Sequence, residues 1–190
     1  QNTNDTNSGR AYQALRRRYA SWENVLAAPV EDVAEAIRVG GLANIKAPRI
    51  QQILAQVRAE QGCLSLDALA DEPVEEARRY LLSLHGVGPK TAACVLLFSL
   101  RMPALPVDTH VHRVSLRVGL IPPKATAEQA HELLEALVPP ADYYPFHLLM
   151  IQHGRTLCKA ARPQCDACPL ALACDYARAG RPDAPGSAVE

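Results

Sequence analysis

No stretch of this 190-residue chain stays apolar for the roughly 18 residues that a bilayer crossing requires, because Arg, Pro or Gly interrupts every candidate run. A basic leader followed by an apolar segment is also missing, so no secretory signal opens the chain. A soluble, cytoplasmic, nucleoid-associated monomer is expected. Net charge is lacking too: 20 Lys and Arg balance 20 Asp and Glu. That balance argues against a wholesale electrostatic nucleic-acid binder, whose footprint is strongly basic. The zero sum nevertheless hides local polarity. Glu60, Asp67, Asp71, Glu72, Glu75 and Glu76 fall in a stretch without Lys or Arg, whereas Arg10, Arg16, Arg17 and Arg18 crowd the opening. Solvated faces account for both segments.

Strand-like alternation and a solenoid repeat are absent as well, and nearly every segment carries helical period broken by Gly and Pro. An all-α protein follows. Helices are expected over 8–20, 21–27, 31–39, 48–60, 73–82, 91–100, 109–118, 126–137 and 143–157. Ser21 has cap position, Thr126 with Gln129 has capping-box spacing, and Gly40-Gly41 and Gly119 end helices. Thr91 to Leu100 is apolar around nearly its whole circumference, which predicts a central helix buried on all sides. Periodicity fades over 158–175, and a flexible tail is expected over 179–190. The chain opens on Gln1 rather than Met, which leads us to expect preceding residues.

What the chain does have is chemistry at two successive helix starts. Leu84-His-Gly-Val-Gly-Pro-Lys-Thr91 forms a glycine hairpin that delivers Lys90 to an apolar helix, and Val107-Asp108-Thr109-His110 follows. Glycines in a tight turn let the amides of Gly86, Val87 and Gly88 approach a phosphate, and the helix start adds partial positive charge. The hairpin carbonyls are also a candidate seat for a monovalent cation. Lys90 is a candidate amine nucleophile and Asp108 a carboxylate that can stabilise a cationic centre, with helix capping as the plainer role for Asp108. His110 is a candidate for orienting the aspartate or a phosphate, with a structural role equally open.

Four of the six cysteines, Cys158, Cys165, Cys168 and Cys174, show the spacing C-x6-C-x2-C-x5-C. Such a run is a metal-ligand set rather than a disulfide framework in a reducing compartment. One close pair with outlying single cysteines fits a [4Fe-4S] cluster better than zinc, which usually takes two separated pairs. Lys159 and Arg162 lie in the loop between the first two ligands, so a clamped loop would present them to a phosphate. Cys63 and Cys94 read as small buried hydrophobes.

Taken in order, the hairpin with Lys90, the Val-Asp-Thr-His segment and the cysteine run resemble the endonuclease III family of DNA glycosylases, of the helix-hairpin-helix Gly/Pro-Asp superfamily. The resemblance spans nearly the whole chain. It implies a six-helix domain, here 1–108 with 109–120 and the hairpin at about 82–100, plus a cluster-bearing helical domain over 121–178, with DNA bound between them. It further implies that Lys90 is the Schiff-base nucleophile, that Asp108 is the catalytic carboxylate, and that Gln1 and Leu42 fill or wedge the gap left by a flipped base. Double-stranded damaged DNA is the implied partner and a [4Fe-4S] cluster the implied cofactor. The implied activity is removal of oxidised pyrimidines such as thymine glycol, then strand cleavage by β-elimination. A non-catalytic DNA-binding module and an adenine-mismatch glycosylase are the alternatives. His85 stands where the family commonly has Pro, Pro89 where Arg is common, and 71–80 is longer than in many relatives.

Overall fold

Side-chain caps fix several helix ends in the computed structural model, which describes residues 5–180. The described residues form helices and no strand, as the periodicity requires: α1 Asp5–Arg18, α2 Trp22–Ala27, α3 Val30–Ala36, α4 Ala43–Gln61, α5 Val74–Ser83, α6 Pro89–Cys94, α7 Thr109–Val118, α8 Ala127–Leu137, α9 Tyr143–Thr156 and α10 Asp175–Arg178. The Ser21 hydroxyl accepts from Asn24 N–H at 3.2 Å and starts α2. Thr126 and Gln129 close the full capping box of α8, at 3.2 and 2.9 Å. Gly119, at φ 91°, ends α7 in the left-handed region. None of the described helices is long and apolar enough to cross a membrane.

Two elements depart from the sequence pattern. Helix α4 begins at Ala43 and carries Pro48 inside it, whereas a proline-led start at 48 was expected. Packing decides the matter. Ala47 is fully buried in a core with Leu15, Val25, Val33 and Ile37, and that burial holds the turn ahead of the proline helical. The helix after the hairpin is not buried all round either, since Phe98 is 42% exposed and Ser99 is exposed. Its α geometry ends at Cys94, and Val95–Ser99 continues as a π turn in which Leu100 N–H donates to the Val95 carbonyl at 3.0 Å. Helix α10 and the short 3-10 turns at Cys165–Ala167 and Ala171–Ala173 lie within and just past the stretch where periodicity fades.

The described chain divides into two compact units. One runs up to Glu72 and adds Arg79–Val87; the other comprises Pro73–Arg78 and everything from Gly88 onward. In the first, Gln51 of α4 donates to the Val25 and Ala28 carbonyls at 2.9 and 2.7 Å, satisfying the open end of α2. The second is built on Leu105, Val111, Val114, Leu134, Tyr143 and their neighbours.

Within that second core, three side chains grip the extended segment that leads into Asp108. His131 Nδ1 lies 3.0 Å from the Leu105 carbonyl, His147 Nδ1 lies 2.8 Å from the Pro106 carbonyl, and Leu105 N–H donates to Glu135 at 2.8 Å. Arg78 bonds the same carboxylate at 3.0 Å. Burial pushes His131 below the ordinary imidazole range. The unfolded chain therefore takes up a proton there at higher pH than the folded chain does. This contribution to stability is complete above the ordinary imidazole pKa of about 6.5 and is lost progressively as pH falls below it. Urea midpoints should accordingly drop between about pH 7 and about pH 5, and His131→Gln should flatten part of that decline.

Candidate active site

Asp108 is the N-cap of α7. Its Oδ1 accepts from both His110 N–H and Val111 N–H at 2.8 Å, so the capping role holds and Oδ2 takes part in neither bond. Lys90 is exposed at the second position of α6, just past the hairpin, where Gly86 adopts φ 81° and Val87 N–H donates to the Leu84 carbonyl at 3.0 Å. A Cβ on Gly86 would stand 3.2 Å from the Arg49 side chain, which could yield, so it is the backbone angle that favours glycine in that turn.

Burial pushes the pKa of the Cys94 thiol up, opposed by the charge of Lys90, one turn earlier on α6, and reinforced by that of Asp108. Cys94 is half-buried rather than core, and Cys63 is exposed, so the reading of both as buried hydrophobes is corrected.

The other candidates fall into separate groups. Leu42 lies in the first unit, 41% exposed, at the N-cap of α4 and in the left-handed region at φ 53°. A leucine held there is strained, a cost that recurs where function needs a side chain in place. Leu42→Gly is expected to raise the melting temperature through backbone relief while weakening any base-extruding grip, measured as Tm against affinity for a damaged duplex. His110 Nδ1 pairs with Arg113 Nη2 at 3.1 Å, and a Cβ on Gly154 would stand 2.9 Å from the His110 Cβ. His112 Nε2 pairs with the Ala125 carbonyl at 2.8 Å. Gln1 lies outside the described residues.

All four cysteines of the C-terminal run line one small cavity of about 20 Å³, together with Arg117, His153 and Tyr176. None is in a disulfide. Arg117 Nη1 stands 3.6 Å from Cys158 Sγ, and its guanidinium lies over the Tyr176 ring at 4.6 Å. The buried Tyr176 hydroxyl has no hydrogen-bond partner. Among the described residues no three ligand-type groups converge on a point fit for a single ion. Four thiols around a shared cavity, a cation beside one sulfur and an orphaned hydroxyl fit a polynuclear group held by its corners.

Helix α7 is tied to the loop after Cys158 through its arginines. Arg113 donates to the Gly154 and Cys158 carbonyls at 3.0 and 3.1 Å, and Arg117 to the Lys159 and Ala160 carbonyls at 2.7 and 3.0 Å. Lys159 and Arg162 themselves are exposed, Arg162 at φ 55°. Gly119 seats α10 against the end of α7, because a Cβ there would fall on the Asp175 carboxylate. Gly119→Ala should cost about 1–2 kcal/mol from the backbone angle, with the exposed Asp175 carboxylate turning aside, read as a lowered melting temperature.

The model of the HhH-GPD superfamily base excision DNA repair proteins matches residues 1–140. The chain belongs to this superfamily. Within it, endonuclease III of Thermotoga maritima is 35% identical over 178 residues, covering 94% of this chain and 79% of that protein, which places the chain in the endonuclease III family. A solved structure of a trapped covalent endonuclease III–DNA intermediate aligns with TM-score 0.80 and 31% identity, covering 94% of this chain and 79% of that one. An Arabidopsis thaliana protein provisionally named a DNA glycosylase is 37% identical over 179 residues, 90% of this chain. The chain spans 61% of the length of that plant relative.

Proposed function

We propose that this endonuclease III family member is a bifunctional DNA glycosylase and abasic-site lyase that removes oxidised or ring-saturated pyrimidines such as thymine glycol from duplex DNA. The observation that carries the reading is the placement of Lys90 in the first turn of α6, directly after the Gly86 turn, with Asp108 capping the start of α7. Base excision needs an extruded nucleotide, at a cost of a few kcal/mol that damage to the base lowers. Leu42 would wedge the vacated stack, and the amides of Gly86, Val87 and Gly88 would hold a backbone phosphate, with a monovalent cation on the hairpin carbonyls.

Lys90 Nζ, once deprotonated, attacks C1′ and the base departs with the glycosidic electron pair. The sugar ring then opens, O4′ leaving C1′ with its bonding pair and taking up a proton as the nitrogen forms the C1′ imine; the imine withdraws electrons, a proton leaves C2′, and the 3′ phosphate departs with the C3′–O electron pair. Asp108 stabilises positive charge developing on the sugar. The trapped covalent intermediate of endonuclease III supports this route.

The cavity residues Cys158, Cys165, Cys168 and Cys174 would hold a [4Fe-4S] cluster. When bound, such a cluster orders the loop between its first two ligands and so presents Lys159 and Arg162 to phosphate. Incubation of the chain with a duplex bearing one thymine glycol, with and without borohydride, tests the reading on a denaturing gel. Cleavage together with a trapped adduct is expected. Binding without either outcome would overturn it in favour of a DNA-binding module.

A further inference from the structure

We infer that His153 is a positioning residue for the cysteine cavity: its ring donates a hydrogen bond to the Cys168 sulfur, steadies that sulfur as a metal ligand and makes the bound group harder to oxidise by one electron. The inference rests on the cluster reading above and goes beyond it in naming the partner of one ligand sulfur. His153 stands half-buried in the last turn of α9, and its Nε2 lies 3.6 Å from Cys168 Sγ. The main chain of the same residue reaches another ligand, since Cys158 N–H donates to the His153 carbonyl at 2.9 Å. One residue thus touches the first and third cysteines of the run.

Metal ligation fixes the direction of the bond. A free thiol and an imidazole can each donate to the other. A cysteine that ligates metal has lost its proton, so its sulfur can only accept, and the hydrogen must sit on Nε2 whatever the charge of the ring. Two of the other sulfurs are met differently. Cys158 Sγ has the Arg117 guanidinium at 3.6 Å, a group also spent on the Lys159 and Ala160 carbonyls. The Cys174 thiol donates to the Arg117 carbonyl at 3.2 Å, a bond that ends once that thiol is deprotonated. Among the described residues the His153 ring makes no hydrogen bond besides the one to Cys168, so replacing it removes that bond alone. A donor aimed at a ligand sulfur draws charge from it and favours the more reduced state of a cluster. Without the donor an electron leaves more easily.

The full chain, loaded with its cluster and matched in melting temperature across variants, provides the test. Ferricyanide takes one electron from each cluster and becomes ferrocyanide, and bleaching of the visible iron–sulfur absorption follows the reaction. His153→Leu should bleach about three- to tenfold faster than wild type, the span of one hydrogen bond. Film voltammetry should place its oxidation at a more negative potential, a readout per loaded cluster that reduced occupancy alone would not move. His153→Gln, whose amide nitrogen falls near the place of Nε2, should recover most of both values. His153→Asn, whose nitrogen falls near the place of Nδ1, should behave as the leucine variant does. Wild-type bleaching and potential in His153→Leu overturn the inference, and so does equal failure of the two amides, which would assign the effect to packing. A wild-type chain with neither iron nor visible absorption sinks the cluster reading, and the inference with it.

Discussion

Lys90→Gln is expected to abolish the borohydride-trapped adduct while leaving duplex binding within a few-fold of wild type. The adduct requires a nitrogen that bonds C1′ and is then reduced, and a side-chain amide cannot supply it. On the proposed function, grip on the duplex would reside elsewhere, in the hairpin amides beside Gly86 and in the exposed Lys159 and Arg162 of the cysteine loop. Losing one cation should reduce the slope of log affinity against log salt by about 0.9 at most, which is measurable by fluorescence anisotropy across a salt series. Persistent trapping in this variant would move the nucleophile to another amine.

Asp108→Asn is the second variant with a large effect, and its value lies in what it preserves. Asparagine caps helices about as well as aspartate, so α7 should start where it does now and the melting temperature should hold. Only the charge is removed. If the carboxylate stabilises the cationic sugar, base release under single turnover should slow about 10²- to 10³-fold, the scale of losing one electrostatic partner of a transition state. Pre-formed abasic-site duplex, which bypasses base release, should be cleaved with a smaller loss. Near-normal release by a well-folded variant would reduce Asp108 to its cap.

Most helices were legible because their ends are local chemistry: Ser21, Thr126 with Gln129, Asp108 and Gly119 each act through the next few residues. The start of α4 was not legible, since the burial of Ala47 outweighs a signal that Pro48 sends locally. The same limit applies to the segment before Asp108. His131 and His147 look like ordinary polar positions in a sequence, and only the folded chain shows them gripping the Leu105 and Pro106 carbonyls. Lys90, Asp108 and the four cysteines stood out because their chemistry has few other uses at those spacings.

The arginine ties from α7 set how freely the cysteine loop can change. Arg113 and Arg117 bond the carbonyls of Cys158, Lys159 and Ala160, groups that every amino acid offers. The path of the chain is therefore fixed without reference to the side chains at 159 and 160. Substitution there can retune the charge offered to a ligand with no rebuilding of the loop. The two arginines have no such freedom, because a lysine has a single ammonium and no planar fork to span two carbonyls at once. Divergence among copies of this domain should therefore run through the loop and halt at the helix.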